Sequence, residues 1–126
     1  MSLNKSPLSP HLQVYRLPLV ALVSISSRVC FVVNALAYTL FIMFLISIAS
    51  GYEIYSISYA VLTSTIGKIL VSMWVFSLYL HMCNGVRHLF WDFGYGFSGK
   101  SPLISSFLVI LFTVLMTGIT ILLYLM

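Results

Sequence analysis

The stretch Leu80 to Asp92 reads Leu-His-Met-Cys-Asn-Gly-Val-Arg-His-Leu-Phe-Trp-Asp and gathers most of the ionisable chemistry of an apolar chain. It holds two of three histidines, one of six cations and one of two acids. Histidine and arginine inside a membrane-length apolar segment are costly enough to mark a functional site by default. At 100° per residue, His81, Asn84, Gly85, His88 and Asp92 share one stripe of a helix. The His81 imidazole is a standard axial ligand type for haem iron, and Gly85, four residues on, would let a flat macrocycle approach the backbone. His81 lies about 15 Å from the helix end at Trp91, at about 1.5 Å per residue, so its iron would sit within the hydrocarbon. Arg87 and His88 lie nearer the surface, where propionates or another polar ligand could reach them. Spacing alone leaves a second reading open: His81 hydrogen-bonding a neighbouring helix, with Gly85 as a small packing residue.

Six-coordinate haem needs ligands on opposite faces of the ring, which one helix stripe cannot supply. No histidine falls in the other predicted helices, so a second histidine ligand would come from another chain. Met43 and Met116 are chemically able to ligate, but membrane methionines mostly pack. Cys30 and Cys83 lie inside predicted helices and read as small apolar residues with no disulfide. Neither belongs to a Cys-x-x-Cys-His pattern, so covalent haem attachment is excluded.

The elements that carry these residues follow from composition. The 126 residues are 61% hydrophobic and 6% charged, against about 25% charged in a soluble domain. This is a membrane protein with room for three helices of about 20 residues or more and for no extramembrane catalytic domain. The net charge of +4 comes from scattered cations flanking apolar runs, a pattern that orients a membrane protein and does not bind nucleic acid.

The fold expected is all-α, one membrane-anchor domain over residues 1–126. Residues 1–17 form a polar tail carrying Pro7, Pro10, His11 and Arg16. They lack the apolar core of a signal peptide and the amphipathic Arg- and Ser-rich pattern of a transit peptide, so the tail is expected to be retained. Pro18 suits a first helical position, and the first span runs from about 19 to 50, interrupted only by Arg28. A turn over Gly51 to Ser58 precedes a second span from about 59 to 91. The connection 92–101 leads to a third span, about 102–126, opened by Pro102 with Ser101 as N-cap. Lys5, Arg16 and Lys100 share one side, with Arg28 and Arg87 near it, whereas the opposite side holds Glu53 and could hold Lys68, which predicts an inside N-terminus, in cytoplasm or mitochondrial matrix, and an outside C-terminus.

Gly94-Tyr95-Gly96-Phe97-Ser98-Gly99 spells a dinucleotide-binding fingerprint, but it follows a membrane helix and no strand, so it reads as turn chemistry. Thr113, Thr117 and Thr120 read as a packing stripe. Tyr52, Tyr55, Trp91 and Tyr95 read as interfacial aromatics.

The pattern His-x-x-x-Gly-x-Arg-His followed by Asp, standing as His81, Gly85, Arg87, His88 and Asp92, resembles the second helix of the cytochrome b membrane-anchor subunit of succinate dehydrogenase, respiratory complex II. Ser9-Pro10-His11-Leu12-Gln13-Val14-Tyr15-Arg16-Leu17-Pro18 is similar to that family's Pro-x-Ser-Pro-His-Leu-x-x-Tyr opening. Ser24-Ile25-Ser26-Ser27-Arg28 is similar to its Ser-Ile-x-His-Arg motif. The resemblance implies a three-helix anchor that, with a second small membrane subunit, holds a flavoprotein and an iron-sulfur protein on the inner side. His81 then matches the haem b ligand, the second anchor supplies the opposite one, Ser24 and Arg28 match ubiquinone-site residues, and Asp92 matches an acid near that site. Ser27 departs from the family, which has histidine there, and Cys30-Phe31 stands where a Thr-Gly pair commonly follows.

Physical chemistry gives the quinone pair separate support. Ser24 and Arg28, four apart, share a helix face, and a hydroxyl with a guanidinium can hydrogen-bond a quinone carbonyl and stabilise charge developing on reduction. The plain alternative is Arg28 snorkelling to the interface. The function expected is therefore a non-catalytic anchor and electron-transfer subunit of a succinate:quinone oxidoreductase in a bacterial cytoplasmic or mitochondrial inner membrane. An anchor working in fumarate reduction and a small polar-lined channel are the alternatives.

Overall fold

The computed structural model describes residues 16–125, of which Leu125 is placed by its backbone alone. The opening motif up to Tyr15 and the final Met126 lie outside the described residues. Four helices follow in order: α1 (Leu19–Ala49), α2 (Tyr52–Thr63), α3 (Thr65–Asp92) and α4 (Ser101–Leu125). The three long helices, α1, α3 and α4, contain 31, 28 and 25 residues. At about 1.5 Å per residue each exceeds the roughly 30 Å of bilayer hydrocarbon. All three are apolar enough to cross it. The described chain is all-helical, and α3 is the central element, packed against α1 on one side and α4 on the other.

The buried and exposed sets are reversed relative to a water-soluble bundle. The positions between helices are small or polar: Ser27, Asn34 and Ser47 on α1, Ser77, Asn84 and Arg87 on α3, Ser106, Thr113 and Thr117 on α4. The buried apolar residues among those described are only Val23, Cys30, Leu80 and Val109. Large apolar side chains point outward, with Leu40 68% and Leu123 69% exposed. In lipid no hydrophobic force drives helix association, so close backbone approach through small residues and interhelical hydrogen bonds does that work. Ser77 Oγ accordingly donates to the Cys30 carbonyl of α1 at 3.2 Å. Thr113 and Thr117 are buried as expected of a packing stripe, whereas Thr120 accepts from the Tyr79 hydroxyl at 2.9 Å while donating to its own Met116 carbonyl.

Two boundaries differ from expectation. The turn expected over Gly51 to Ser58 is only Gly51, held at φ 107, after which Tyr52–Thr63 forms a separate helix. The second span starts at Thr65 rather than near 59, because Ser64 turns extended (ψ 159) and caps α3 by accepting from the Gly67 N–H at 3.1 Å. The reason is local: no glycine or proline interrupts 52–63, so the helix persists until a capping serine offers its own acceptor. Gly67 is required at this break, since a Cβ there would collide with the backbone carbonyls of Val61 and Leu62. Gly67→Ala is expected to force the α2–α3 corner apart and lower stability by about 1–3 kcal/mol, as overpacking does. Thermal unfolding in detergent checks this; an unchanged midpoint would contradict the tight corner.

At the opposite end, α4 begins at Ser101, one residue earlier than expected. The Lys100 carbonyl accepts from the N–H groups of Leu103 and Ile104 at 3.1 Å each, which makes Lys100 the capping position. Gly94, Gly96 and Gly99 all have positive φ (81°, 89° and 54°). The glycine fingerprint is thus a turn from α3 into α4, and Phe97 stacks on Trp91 with ring centroids 5.7 Å apart.

Candidate functional site

The central helix brings His81 against α1 at the level of Ser27. Its Nδ1 lies 3.2 Å from the Ser27 carbonyl oxygen and 3.4 Å from Ser27 Oγ. A carbonyl can only accept, so Nδ1 donates to it, and Nε2 is the ring nitrogen left for another partner. Among the described residues Nε2 has no hydrogen-bond partner. This is the arrangement found around metal-bound histidines, where the second nitrogen donates to a backbone carbonyl and thereby fixes tautomer and ring orientation. The Phe31 ring stands 5.9 Å from the imidazole. One turn on, Gly85 is exposed, and nothing stands within 4 Å of where a Cβ would be. The residues present therefore fit a flat iron-bearing ring lying beside α3. His81 also makes the interhelical hydrogen bond of the plainer reading, using only one of its two nitrogens.

The other stripe residues part company. Asn84 is 2% exposed and sunk between the helices, with Oδ1 lacking a partner. His88 and Asp92 are exposed, and His88 meets the edge of Trp91 at 5.0 Å between centroids. On α1, Ser24 is half-buried and Arg28 exposed. Ser24 stands one turn before Ser27, and Arg28 directly follows it. Both residues of the expected quinone pair therefore belong to the turns of α1 that His81 faces.

Arg87 lies elsewhere. It is 4% exposed, turned between α3 and α4, with Nη1 donating to Ser106 Oγ at 2.5 Å. Its guanidinium carbon sits 4.5 Å from the centre of the Trp91 ring. Nε and Nη2 have no partner. A desolvated cation over tryptophan gains about 2 kcal/mol, while each unpaired buried donor costs about 1–3 kcal/mol. Six residues of helix carry Arg87 about 120° around the axis from His81. Ser27 is the residue that sequence reading missed. It stood out only as a departure from the family motif, and its partner lies 54 positions away.

Three helices long and apolar enough to span a bilayer define a multi-pass membrane protein, and it is one that presents an imidazole nitrogen from mid-helix. The chain belongs to the succinate dehydrogenase/fumarate reductase transmembrane subunit family, whose profile matches residues 2–120. It is 38% identical over 114 residues to a succinate dehydrogenase cytochrome b556 subunit of Rickettsia felis, covering 90% of this chain and 89% of that one. A cytochrome b556 subunit of Paracoccus denitrificans is 38% identical over 90 residues, 71% of this chain and 69% of its own. A cytochrome b560 subunit of Reclinomonas americana is 32% identical over 116 residues, 87% and 79% respectively. With such relatives and three apolar spans, this is a multi-pass protein of a bacterial or mitochondrial inner membrane.

Proposed function

We propose that the chain is the haem b and ubiquinone-binding anchor of a succinate dehydrogenase, working with flavoprotein and iron-sulfur partners and a second small anchor subunit. The observation that carries this reading is the His81 Nδ1 to Ser27 carbonyl bond, which leaves the Nε2 lone pair for iron beside the open flank of Gly85. His81 Nε2 would hold the haem iron, with the second anchor subunit supplying a further ligand. Bound haem b supplies a reversible one-electron carrier. His88, exposed two turns nearer the Asp92 end, would meet the propionates, and Asp92 would stand near the quinone site. Arg28 and Ser24 donate hydrogen bonds to a quinone carbonyl and stabilise the negative charge that grows on it during reduction.

Arg16, Arg28, Arg87 and Lys100, with Asp92, lie towards one end of the bundle, and Glu53 and Lys68 towards the other. The positive end faces inside, where the partners deliver electrons, and the C-terminus faces outside. The relatives are named for succinate dehydrogenase, which favours succinate oxidation over fumarate reduction. An affinity-tagged chain solubilised gently is expected to bring down a flavoprotein and an iron-sulfur protein and to support succinate-dependent ubiquinone reduction. A chain that purifies without either partner would contradict the anchor role.

A further inference from the structure

Towards the Glu53 end of the bundle, α3 and α4 leave an open groove of about 550 Å³ between them. Arg87 meets Ser106 and Tyr79 meets Thr120, so α4 runs antiparallel to α3 and its last turn, with Tyr124, stands beside the first turns of α3. The groove is therefore sorted by depth. Lys68 and Tyr124 stand at its mouth, and Ile69, Met73, Phe76 and Ile121 form apolar walls further in. Lys68 to Phe76 is eight residues of α3, about 12 Å of depth at about 1.5 Å per residue. The mouth lies at the level of the head groups: Lys68 comes four residues after the Ser64 break, and Tyr52, Tyr55 and Tyr59 of α2 belong to the same end, as interfacial aromatics do. Lys68 is exposed, so its ammonium is open to a ligand. A lysine so placed lays its stem along apolar surface and turns its charge to the interface.

We propose that this groove binds one acidic phospholipid, its phosphodiester on the Lys68 ammonium and the Tyr124 hydroxyl, and an acyl chain along Ile69, Met73 and Phe76. The order from charged mouth to apolar depth is the order of a lipid from head to tail. Charge selects the head group. No acidic residue lines the groove, so a net negative lipid meets Lys68 unopposed, whereas the ammonium of a zwitterionic head group finds no partner within it. The second anchor subunit is not the occupant. Ser72, which lines the groove, lies nine residues before His81 and therefore about 180° around α3 from it, on the far side from the stripe of His81, Gly85 and His88 that the haem and that subunit would cover. The lipid site needs only α3 and α4, and it stands whether or not His81 holds iron.

The test is native mass spectrometry of the full chain with its co-purified partners, delipidated and titrated with phosphatidylglycerol or phosphatidylcholine. The expected result is one phosphatidylglycerol held about fivefold more tightly than phosphatidylcholine, the effect of one lysine beside an anionic head group. Lys68→Gln, at an exposed position that opens no cavity, should erase that preference, and Lys68→Arg should keep it. Met73→Trp fills the groove from a side chain 62% exposed and should weaken both lipids. An unchanged preference in Lys68→Gln would overturn the proposal. So would unchanged binding of both lipids in Met73→Trp together with displacement of phosphatidylglycerol by inorganic phosphate, which marks a bare anion site. Release of a co-purified polypeptide by Met73→Trp, with no lipid held by the native complex, would assign the groove to a partner helix and overturn it equally.

Discussion

His81→Ala is expected to abolish the b-type absorption of the purified complex, reducing bound haem to below about a tenth of the wild-type content, while the chain still inserts. The size of the effect follows from the chemistry of the ligand. Alanine removes the nitrogen that bonds iron, and no other histidine occupies α1 or α4 to replace it. Insertion survives because the spans are set by their apolar length and His81 is one residue of 28 in α3. The Ser27 carbonyl loses its extra donor but keeps its place in the helix ladder, so the fold cost is small. Absorption spectra and pyridine-haemochrome analysis check the content. Unchanged spectra in the alanine variant would remove His81 from ligation and leave the interhelical hydrogen bond as its whole role.

Arg28→Ala is expected to lower succinate:ubiquinone reductase activity about 100-fold, in line with the loss of one preorganised donor to a developing oxyanion. Succinate oxidation with an artificial acceptor should persist, because that reaction needs only the soluble partners. The exposure of Arg28 means that its removal opens no cavity, so a selective loss reports on the quinone and not on folding. Ser24→Ala, lacking only a neutral donor, should lose less, about tenfold. Equal retention of both activities in Arg28→Ala would end the quinone assignment and leave the guanidinium at the lipid interface.

Much of the architecture was legible because lipid imposes a simple demand. Runs of apolar residues long enough to satisfy their own backbone must be helices, and α1, α3 and α4 follow from that alone. Helix α2 was not legible as a separate element, since Tyr52–Thr63 carries no proline or glycine to announce an end. Its break depends on Ser64 trading helical dihedrals for a cap on Gly67, a choice made possible by the close contact only glycine permits there. Inward and outward faces were also hard to read. In this bundle serine, threonine and asparagine are buried while leucine and phenylalanine meet lipid, so hydropathy marks a span without showing its rotation.

The site was legible in its types and only partly in its geometry. His81 and Gly85 were apparent from their spacing, but the acceptor for Nδ1 required knowing that α1 and α3 run antiparallel with Ser27 opposite. Ser27 drew notice as a missing histidine, and the structure gives it a role through its backbone oxygen, which no side-chain pattern reveals. The separation of Arg87 from His81 was available from the helical period itself. What the sequence could not disclose was Ser106, 19 positions on, as the partner that draws the guanidinium between α3 and α4.

The most direct measurement of the central claim is a dithionite-reduced minus oxidised difference spectrum of the chain purified with its associated polypeptides. The account predicts the α and Soret bands of a b-type haem, present together with a flavoprotein and an iron-sulfur subunit. Those partners without any haem band, after gentle solubilisation, would contradict ligation by His81.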